Sequence, residues 1–554
     1  MKRLPKSLLL ASLSKPFLRC NREPIPLLRP PPPLPRILPF AARTLSAPAA
    51  PPDAAPAAQP NGLEFLEAAE LREAANDHQE AFALAVKALE PLQVSHGGWS
   101  LPVARTLRLA GAAASRLGRL SDSLDSLNAA ADIVDALESG DTEVATVGAA
   151  VHEQRARTKM AMGRRWDAVS DLMRALELKG VLLKEGSVEL GNAYKDVAEA
   201  YTGVLAFEKA LPLCLKVLEI TRNQFGGESP EVAKIRQLLA TVYTGLGRNE
   251  EALEQNEIVR MVYERLGLDV ELSLAEIDVA NLLILLGRSE EAKDVLKRVV
   301  KRASKESEER ALAFVAMANI LCTQDRSADS KRCLEIARGI LDTKVSVSPG
   351  RVAQVYAEMS MLYETMIEFE VALCLMKKTL VFLVGVSEMQ PIQGSISARM
   401  GWLLLKTDRV DEAVPYLESA IEKLKNCFGP LHFGLGFAYK HLGEAYLAMN
   451  QPQSAVKYIT IAKDIIHATF GPKHEDSIEA IQSLANAYGV MGSYKQAMDC
   501  QEQVVDAYRS CGPGASEDLK EALRLQYQLK LKARGLPHAC FPANSLPTKF
   551  QNQE

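Results

Sequence analysis

Histidine and tryptophan are scarce in this 554-residue chain, at eight and three. Nine cysteines are scattered at positions 20, 214, 322, 333, 374, 427, 500, 511 and 540, with no CxxC among them. An odd number without paired spacing argues against a disulfide framework and against a zinc knuckle. Long hydrophobic runs are also missing: the longest unbroken apolar stretches resemble Leu282 to Leu286, far below the ~18 residues a bilayer-spanning helix needs. No HExxH, GxSxG or GxxxxGK(S/T) occurs, and glycines stand singly instead of in a phosphate loop after a strand. Zinc hydrolysis, nucleophile-elbow chemistry and phosphate-loop nucleotide binding therefore have no support in the sequence. The expected body is soluble and resides in a reducing compartment.

What is present is a globular composition, 47 % apolar and 24 % charged, too rich in core-forming residues for a disordered chain. The net charge of −4 conceals an asymmetry. Residues 1–60 hold nine basic and two acidic residues, a net of +7, so the remainder, with 56 basic and 67 acidic, carries −11. A body this acidic has no overall charge to drive counterion release from a phosphate backbone.

Half of the prolines, 15 of 29, precede residue 61, and no glycine does. The opening segment MKRLPKSLLLASLSKPFLRCNREP has a basic start, a short amphipathic apolar run broken by Pro16, and no acid before Glu23. This is the pattern of an organelle transit peptide, Arg-rich and unable to build a core. The run ARTLSA around Arg43 resembles a mitochondrial processing site, with Ser46 as the new start. The expected destination is the mitochondrion, with the chloroplast and a retained cytoplasmic arm as alternatives. The proline run Pro30 to Pro33, extended by Leu34 and Pro35, also fits a polyproline ligand.

Beyond the leader the sequence repeats. A small residue recurs at Ala81, Ser123, Ala168, Ala210, Ala252, Ala292, Ser330, Ala372, Ala413, Ala455 and Ala497, at intervals of 38 to 45 residues averaging about 42. Twelve residues before each lies another: Ala69, Gly111, Ala156, Ala198, Ala240, Ala280, Ala318, Ser360, Gly401, Gly443 and Ala485. The spacing predicts eleven two-helix units whose small residues mark the closest crossing of each pair. In the unit Ser477 to Arg509, Ile481, Leu484, Ala485 and Tyr488 share one helical face, and Gly492 ends the helix. LGRNEEA from Leu246, LGRSEEA from Leu286 and MGRRWDA from Met162 repeat this punctuation. Asn249 and Ser289 are the expected caps of the second helices, and Ser229 before Pro230 the expected cap of a first one.

These features resemble the tetratricopeptide repeat, with its small eighth residue, aromatic or Leu at the eleventh and Ala at the twentieth, as in LANAY from Leu484, LGEAY from Leu442, LATVY from Leu239 and VAEAY from Val197. Ordinary repeats of that family run 34 residues. The longer period and the linkers FGGESPEV from Phe225, FGPLHFG from Phe428 and FGPKHED from Phe470 look like kinesin light chain, and the whole like a plant organellar member of that type. The resemblance covers about 63–512. It implies an all-α, right-handed solenoid of about eleven helix-turn-helix repeats. It departs from kinesin light chain in placing a Pro-rich basic leader where a heptad coiled coil would stand. The expected organisation is a leader at 1–60, the solenoid at 61–512, a capping helix at 513–534 and a tail at 535–554.

Chemistry is sparse. His432 and His474 occupy equivalent linker positions 42 residues apart, and His441 and His467 fall within helices, so no metal site or cofactor is expected. Cys322 and Cys333 read as packed thiols. Paired acids such as Glu250–Glu251 and Glu290–Glu291 complement the dipole of the second helices. No catalytic constellation is present, and the chain is read as a non-enzyme.

What remains is a binding surface. In the family the first helix of each repeat lines a concave groove, and the residue after the small eighth one points into it. The resemblance therefore implies a protein-binding groove of Glu199, Thr241, Asn281, Asn319, Met361, Trp402, Glu444 and Asn486, shared by Lys195, Gln237, Lys440 and Gln482 four residues earlier in their helices. Trp402 is either an exposed anchor or a filler between hairpins. The Lys–Asn carboxylate clamp of chaperone-binding relatives is not reproduced, because Lys195 and Lys440 precede Glu199 and Glu444. The expected function is a scaffold that recruits or assembles an organellar protein complex, with protein or peptide partners, no nucleic acid and no membrane span. The rivals are an organellar helical-repeat RNA binder and a cytosolic cargo or microtubule adaptor.

Overall fold

The computed structural model describes residues 62–137, 141–345, 348–386, 389–510 and 515–534. The leader with Arg43 and Ser46, the proline run, the tail and Cys20, Cys511 and Cys540 lie outside them. Among the described residues there are 23 helices and no strand. In chain order they are α1 (Gly62–Ala74), α2 (His78–His96), α3 (Leu101–Arg116), α4 (Leu120–Ala136), α5 (Thr142–Ala161), α6 (Arg165–Leu182), α7 (Val188–Gly203) and α8 (Phe207–Phe225). They continue as α9 (Pro230–Gly245), α10 (Asn249–Leu266), α11 (Asp269–Leu285), α12 (Ser289–Arg302), α13 (Glu308–Thr323), α14 (Ser327–Asp342), α15 (Pro349–Thr365) and α16 (Phe369–Phe382). The last are α17 (Gln390–Lys406), α18 (Val410–Phe428), α19 (Phe433–Ala448), α20 (Pro452–Phe470), α21 (Glu475–Val490), α22 (Tyr494–Ser510) and α23 (Ser516–Ala533). Ten odd–even pairs pack as hairpins, α1 with α2 through α13 with α14 and α17 with α18 through α21 with α22, and α23 packs on α22; α15 and α16 are joined by the same kind of turn. The fold is an all-α tetratricopeptide-type solenoid.

The chain divides into two compact units, Met1–Glu358 with Gly385–Glu388, and Met359–Val384 with Met389–Glu554, so that the first boundary falls within α15. Each unit is a stack of the same hairpin.

All 22 recurring small residues are buried. A Cβ built on Gly401 would lie 2.5 Å from Leu417 Cγ and 3.3 Å from the carbonyl oxygen of Ala413, its partner twelve residues on. At Gly443 the carbonyl oxygen of Ala455 would lie 3.2 Å away. In the α13–α14 hairpin, Ser330 Oγ donates to the Ala318 carbonyl at 2.9 Å, entirely buried. The two small positions therefore face each other where the backbones approach most closely.

Every turn between paired helices has the same construction. One residue takes a left-handed φ, and the following N–H bonds back to the carbonyl five residues earlier, as in Arg248 N to Tyr243 O at 2.9 Å and Arg288 N to Leu283 O at 2.8 Å. This closes the orphan carbonyls of the first helix. Gly247 and Gly287 supply φ 75° and 77° without cost, whereas Leu205 and Ile367 hold 60° and 64°.

The second helices are not capped by Asn249 and Ser289. The left-handed turn makes Arg248 and Arg288 the cap residues, and neither side chain bonds a helix N–H. Each guanidinium instead reaches the acid three residues later: Arg248 Nε to Glu251 Oε1 at 2.9 Å, Arg288 Nε to Glu291 Oε1 at 2.7 Å. The pairing recurs at Arg119–Asp122, Arg164–Asp167, Arg326–Asp329 and Arg409–Glu412. Three first helices follow the expected rule, whereas the caps of α3, α11 and α17 make no side-chain bond to a helix N–H. Ser187, Ser229 and Ser307 accept from the N–H groups of Leu190, Val232 and Arg310 at 3.2–3.3 Å.

Candidate protein-binding face

Several first helices of successive hairpins touch directly, as α3 with α5, α11 with α13 and α17 with α19. Their solvent-open sides thus form a continuous strip. Residues one past the buried small position populate it: Thr241, Asn281, Asn319, Met361, Trp402 and Glu444 are half-buried, and Glu199 and Asn486 are exposed.

In the first unit, Lys195 and Glu199 on α7 are both open and form an ion pair at 3.6 Å. Gln237 on α9 is not on the strip. It is 7 % exposed, and its Oε1 accepts from the buried Tyr263 hydroxyl of α10 at 3.3 Å. Thr241 donates to the Gln237 carbonyl at 3.0 Å.

In the second unit the strip is built around charged and aromatic groups. Arg399 binds Glu364 with two hydrogen bonds, 2.6 and 2.7 Å, linking α17 to α15. The cations of Arg399 and Lys406 each lie 5.9 Å from the Trp402 ring centroid, one turn to either side of it. The imidazole of His441 on α19 lies 6.5 Å from the same ring. Its Nδ1 is 3.0 Å from Glu444 Oε2, and Ser483 Oγ of α21 donates to the other oxygen at 3.4 Å. Trp402 is therefore both half-open and packed across two helices.

Lys440, like Gln237, is buried rather than groove-facing, with 2 % of its side chain exposed. Its ammonium lies 2.7 Å from Glu479 and 3.8 Å from Glu444. Packed neighbours hold both residues in, Gln237 through Tyr263 of α10 and Lys440 through Glu479 of α21. Gln482 on α21 stays half-open and donates to Gln501 of α22 at 2.8 Å. Gln501, fully buried, donates in turn to the Ala522 carbonyl of α23 at 3.0 Å.

The electrostatics of Glu444 follow from these contacts. Burial disfavours its charge, but hydrogen bonding and attraction from His441, with attraction from Lys440 and Lys406, outweigh that and hold the carboxyl at about 2. The strip thus presents a fixed carboxylate beside two cations and an indole. Arg399, Glu364, Lys406, Glu479 and Ser483 were not singled out in the sequence, and His441 was noted there only as a histidine within a helix. Arg399, Lys406 and His441 were detectable from helical spacing around Trp402 and Glu444; the partners on other helices, Glu364, Glu479 and Ser483, required the packing.

Among the described residues no group of three or more His, Cys, Asp or Glu is arranged to hold a metal. His432 and His474 are the caps of α19 and α21, accepting from the N–H groups of Gly434 and Asp476 at 3.2 Å. Cys322 is buried and Cys333 half-buried; neither forms a disulfide, and burial raises the pKa of both. No described helix is long and apolar enough to cross a membrane.

Residues 189–257, which span α7 to α10, match the tetratricopeptide repeat family model. Kinesin Light Chain-Related 1 of Arabidopsis thaliana is 28 % identical over 339 residues, 60 % of this chain and 55 % of the relative. Kinesin Light Chain-Related 2 of the same plant is 25 % identical over 483 residues, 85 % of this chain and 72 % of the relative. Over the matched residues the chain is similar to tetratricopeptide-repeat proteins of the kinesin-light-chain-related type. This repeat protein spans about half the length of the first of those relatives. A solved structure from Podosopora anserina, described as a kinesin light chain with nearly identical TPR-like repeats, shares 20 % identity, covers 38 % of the repeat protein and 99 % of that chain, and superimposes with a TM-score of 0.33.

Proposed function

We propose that this chain is a non-catalytic scaffold that binds protein or peptide partners along the open strip of its first helices. The observation that carries the reading is the second-unit strip, where Trp402, Lys406, His441, Glu444 and Asn486 lie on touching first helices. A surface that combines a rigid aromatic with fixed charges suits protein recognition, in which a few anchored side chains supply most of the binding energy. Contacts spread over several repeats then add specificity. The acidic body gives nucleic acid little electrostatic purchase.

The role we propose is recruitment or assembly of an organellar protein complex. Its support is the leader, rich in arginine and nearly free of acid over its first sixty residues, which favours import into the mitochondrion, with the chloroplast as the alternative destination. Imaging a C-terminal fluorescent fusion tests the location: organellar signal supports it, and diffuse or microtubule-associated signal overturns it. The binding reading is tested by proximity labelling with the full chain and two strip variants, Trp402→Ala and Asn486→Arg. The same neighbour should be lost from both and retained with Trp166→Ala, which removes an exposed tryptophan from the second helix α6.

A further inference from the structure

Two histidines cap helices in this protein, at equivalent places one repeat apart, and their surroundings differ in one respect that matters. His432 precedes α19. Its Nδ1 accepts the Gly434 N–H at 3.2 Å, which places the ring hydrogen on Nε2. The ring lies between Phe428 at the end of α18, 4.5 Å away and nearly parallel, and Phe433 at 4.3 Å. Its Nε2 is buried and finds no hydrogen-bond partner. His474 precedes α21 in the same manner, with Nδ1 3.2 Å from the Asp476 N–H and its ring stacked 4.6 Å from Phe470. There, however, the Asp476 carboxylate lies 3.4 Å from Nδ1, and the side chain is 45 % exposed.

We propose that His432 is an acid-sensitive latch on the junction between α18 and α19, whereas His474 is its acid-tolerant counterpart. A neutral imidazole can accept a hydrogen bond from the helix N-terminus; an imidazolium cannot, because both nitrogens then carry hydrogen. Protonating His432 turns the Gly434 cap contact into a donor facing a donor. It also puts a charge among Phe428, Phe433 and Gly434, at the positive end of the α19 dipole, with no carboxylate contacting it from α18 or α19. The same proton on His474 gains the Asp476 carboxylate, and water reaches the ring.

Burial lowers the pKa of His432 from 6.5 to about 3. The sign follows. The folded junction excludes the proton that the opened junction accepts, so its stability is fully present above pH ~6.5 and declines as pH falls toward 3. Each pH unit lost in that window makes opening about tenfold easier.

Hydrogen exchange on the full-length chain at pH 7.5 and pH 5.5, corrected for intrinsic rates, reads this directly. The amides of Gly434, Leu435 and Gly436 should lose about tenfold in protection on acidification, while those of Asp476 to Ile478 keep theirs. His432→Asn retains a short cap acceptor that does not titrate, and should abolish the pH dependence at 434–436. Protection at 434–436 that is unchanged in the wild type, or that falls equally at both junctions, overturns the proposal without recourse to any variant. So does an equal fall in His432→Asn.

Discussion

Ile367 is the residue most at odds with its place. It holds φ at 64° in the α15–α16 turn and is 74 % exposed, so neither backbone preference nor burial favours a β-branched side chain there. A left-handed conformation costs a non-glycine residue about 1–2 kcal/mol. Ile367→Gly should therefore raise stability by about 1 kcal/mol, read as a higher denaturant midpoint for the second unit; a lower midpoint would show that the side chain makes a contact worth more than the strain.

Asp171 is the opposite case, buried at 1 % exposure on α6 and held by Arg155 at 2.5 Å and Lys159 at 2.7 Å from α5. Burial alone would raise its pKa, but hydrogen bonds from His152, Arg155 and Lys159 bring it down to about 2. Because its folded pKa is depressed, its contribution is present above about 3.8 and is lost as pH falls through 2. Asp171→Asn leaves two cations without a carboxylate and should cost about 3–5 kcal/mol at neutral pH. A chemical melt at pH 7 checks this, with a loss below 1 kcal/mol counting against it. Neither residue was legible in the sequence. Ile367 lacks the glycine that marks other turns, and Asp171 finds its partners only when α5 and α6 pack.

Each hairpin is set by a crossing and a turn. The crossing was fully legible, because an unvarying twelve-residue separation of small residues leaves few explanations besides close backbone contact. Enlarging Ala240 or Ala252 to Leu should cost about 1–3 kcal/mol by overpacking; both are essentially buried, at 2 % and 0 %. Unchanged melting of both variants would displace the crossing from these residues. The turn was legible only in part. Glycine announced the helix exit, but the cap fell one residue before Asn249 and Ser289, because the left-handed residue ends one helix and its successor already starts the next. What takes the cap's place is Arg at the start and an acid three residues later, a spacing visible in GRNEE and GRSEE. Such exposed pairs are screened by water and contribute little, so they tune the turn and do not create it. The strip residues divide for a related reason. One position past the small residue is open in the hairpins from α5 onward, but in the α3–α4 hairpin it is the buried Ala112; four residues earlier Gln237 and Lys440 are covered and Lys195 and Gln482 are not. Helical periodicity places a residue on a face, and the width of that face depends on the neighbouring hairpin.

At the scale of the molecule, the repeat period read eleven two-helix units, and the described residues hold eleven successive helix–turn–helix pairs. The division at Glu358 was not visible in the spacing, which continues through it. The polar body, acidic overall by 11 charges, should bind RNA only weakly. Filter binding with residues 61–534 should find no tight, salt-sensitive association, and a steep salt dependence would favour the RNA-binding reading instead. The central claim is that the strip of first helices is where partners bind. Proximity labelling in cells with the full chain, its Trp402→Ala and Asn486→Arg variants and the Trp166→Ala control tests it most directly. One or more protein neighbours should be lost from both strip variants and kept by the control; the same neighbours in all four samples would place the binding surface elsewhere.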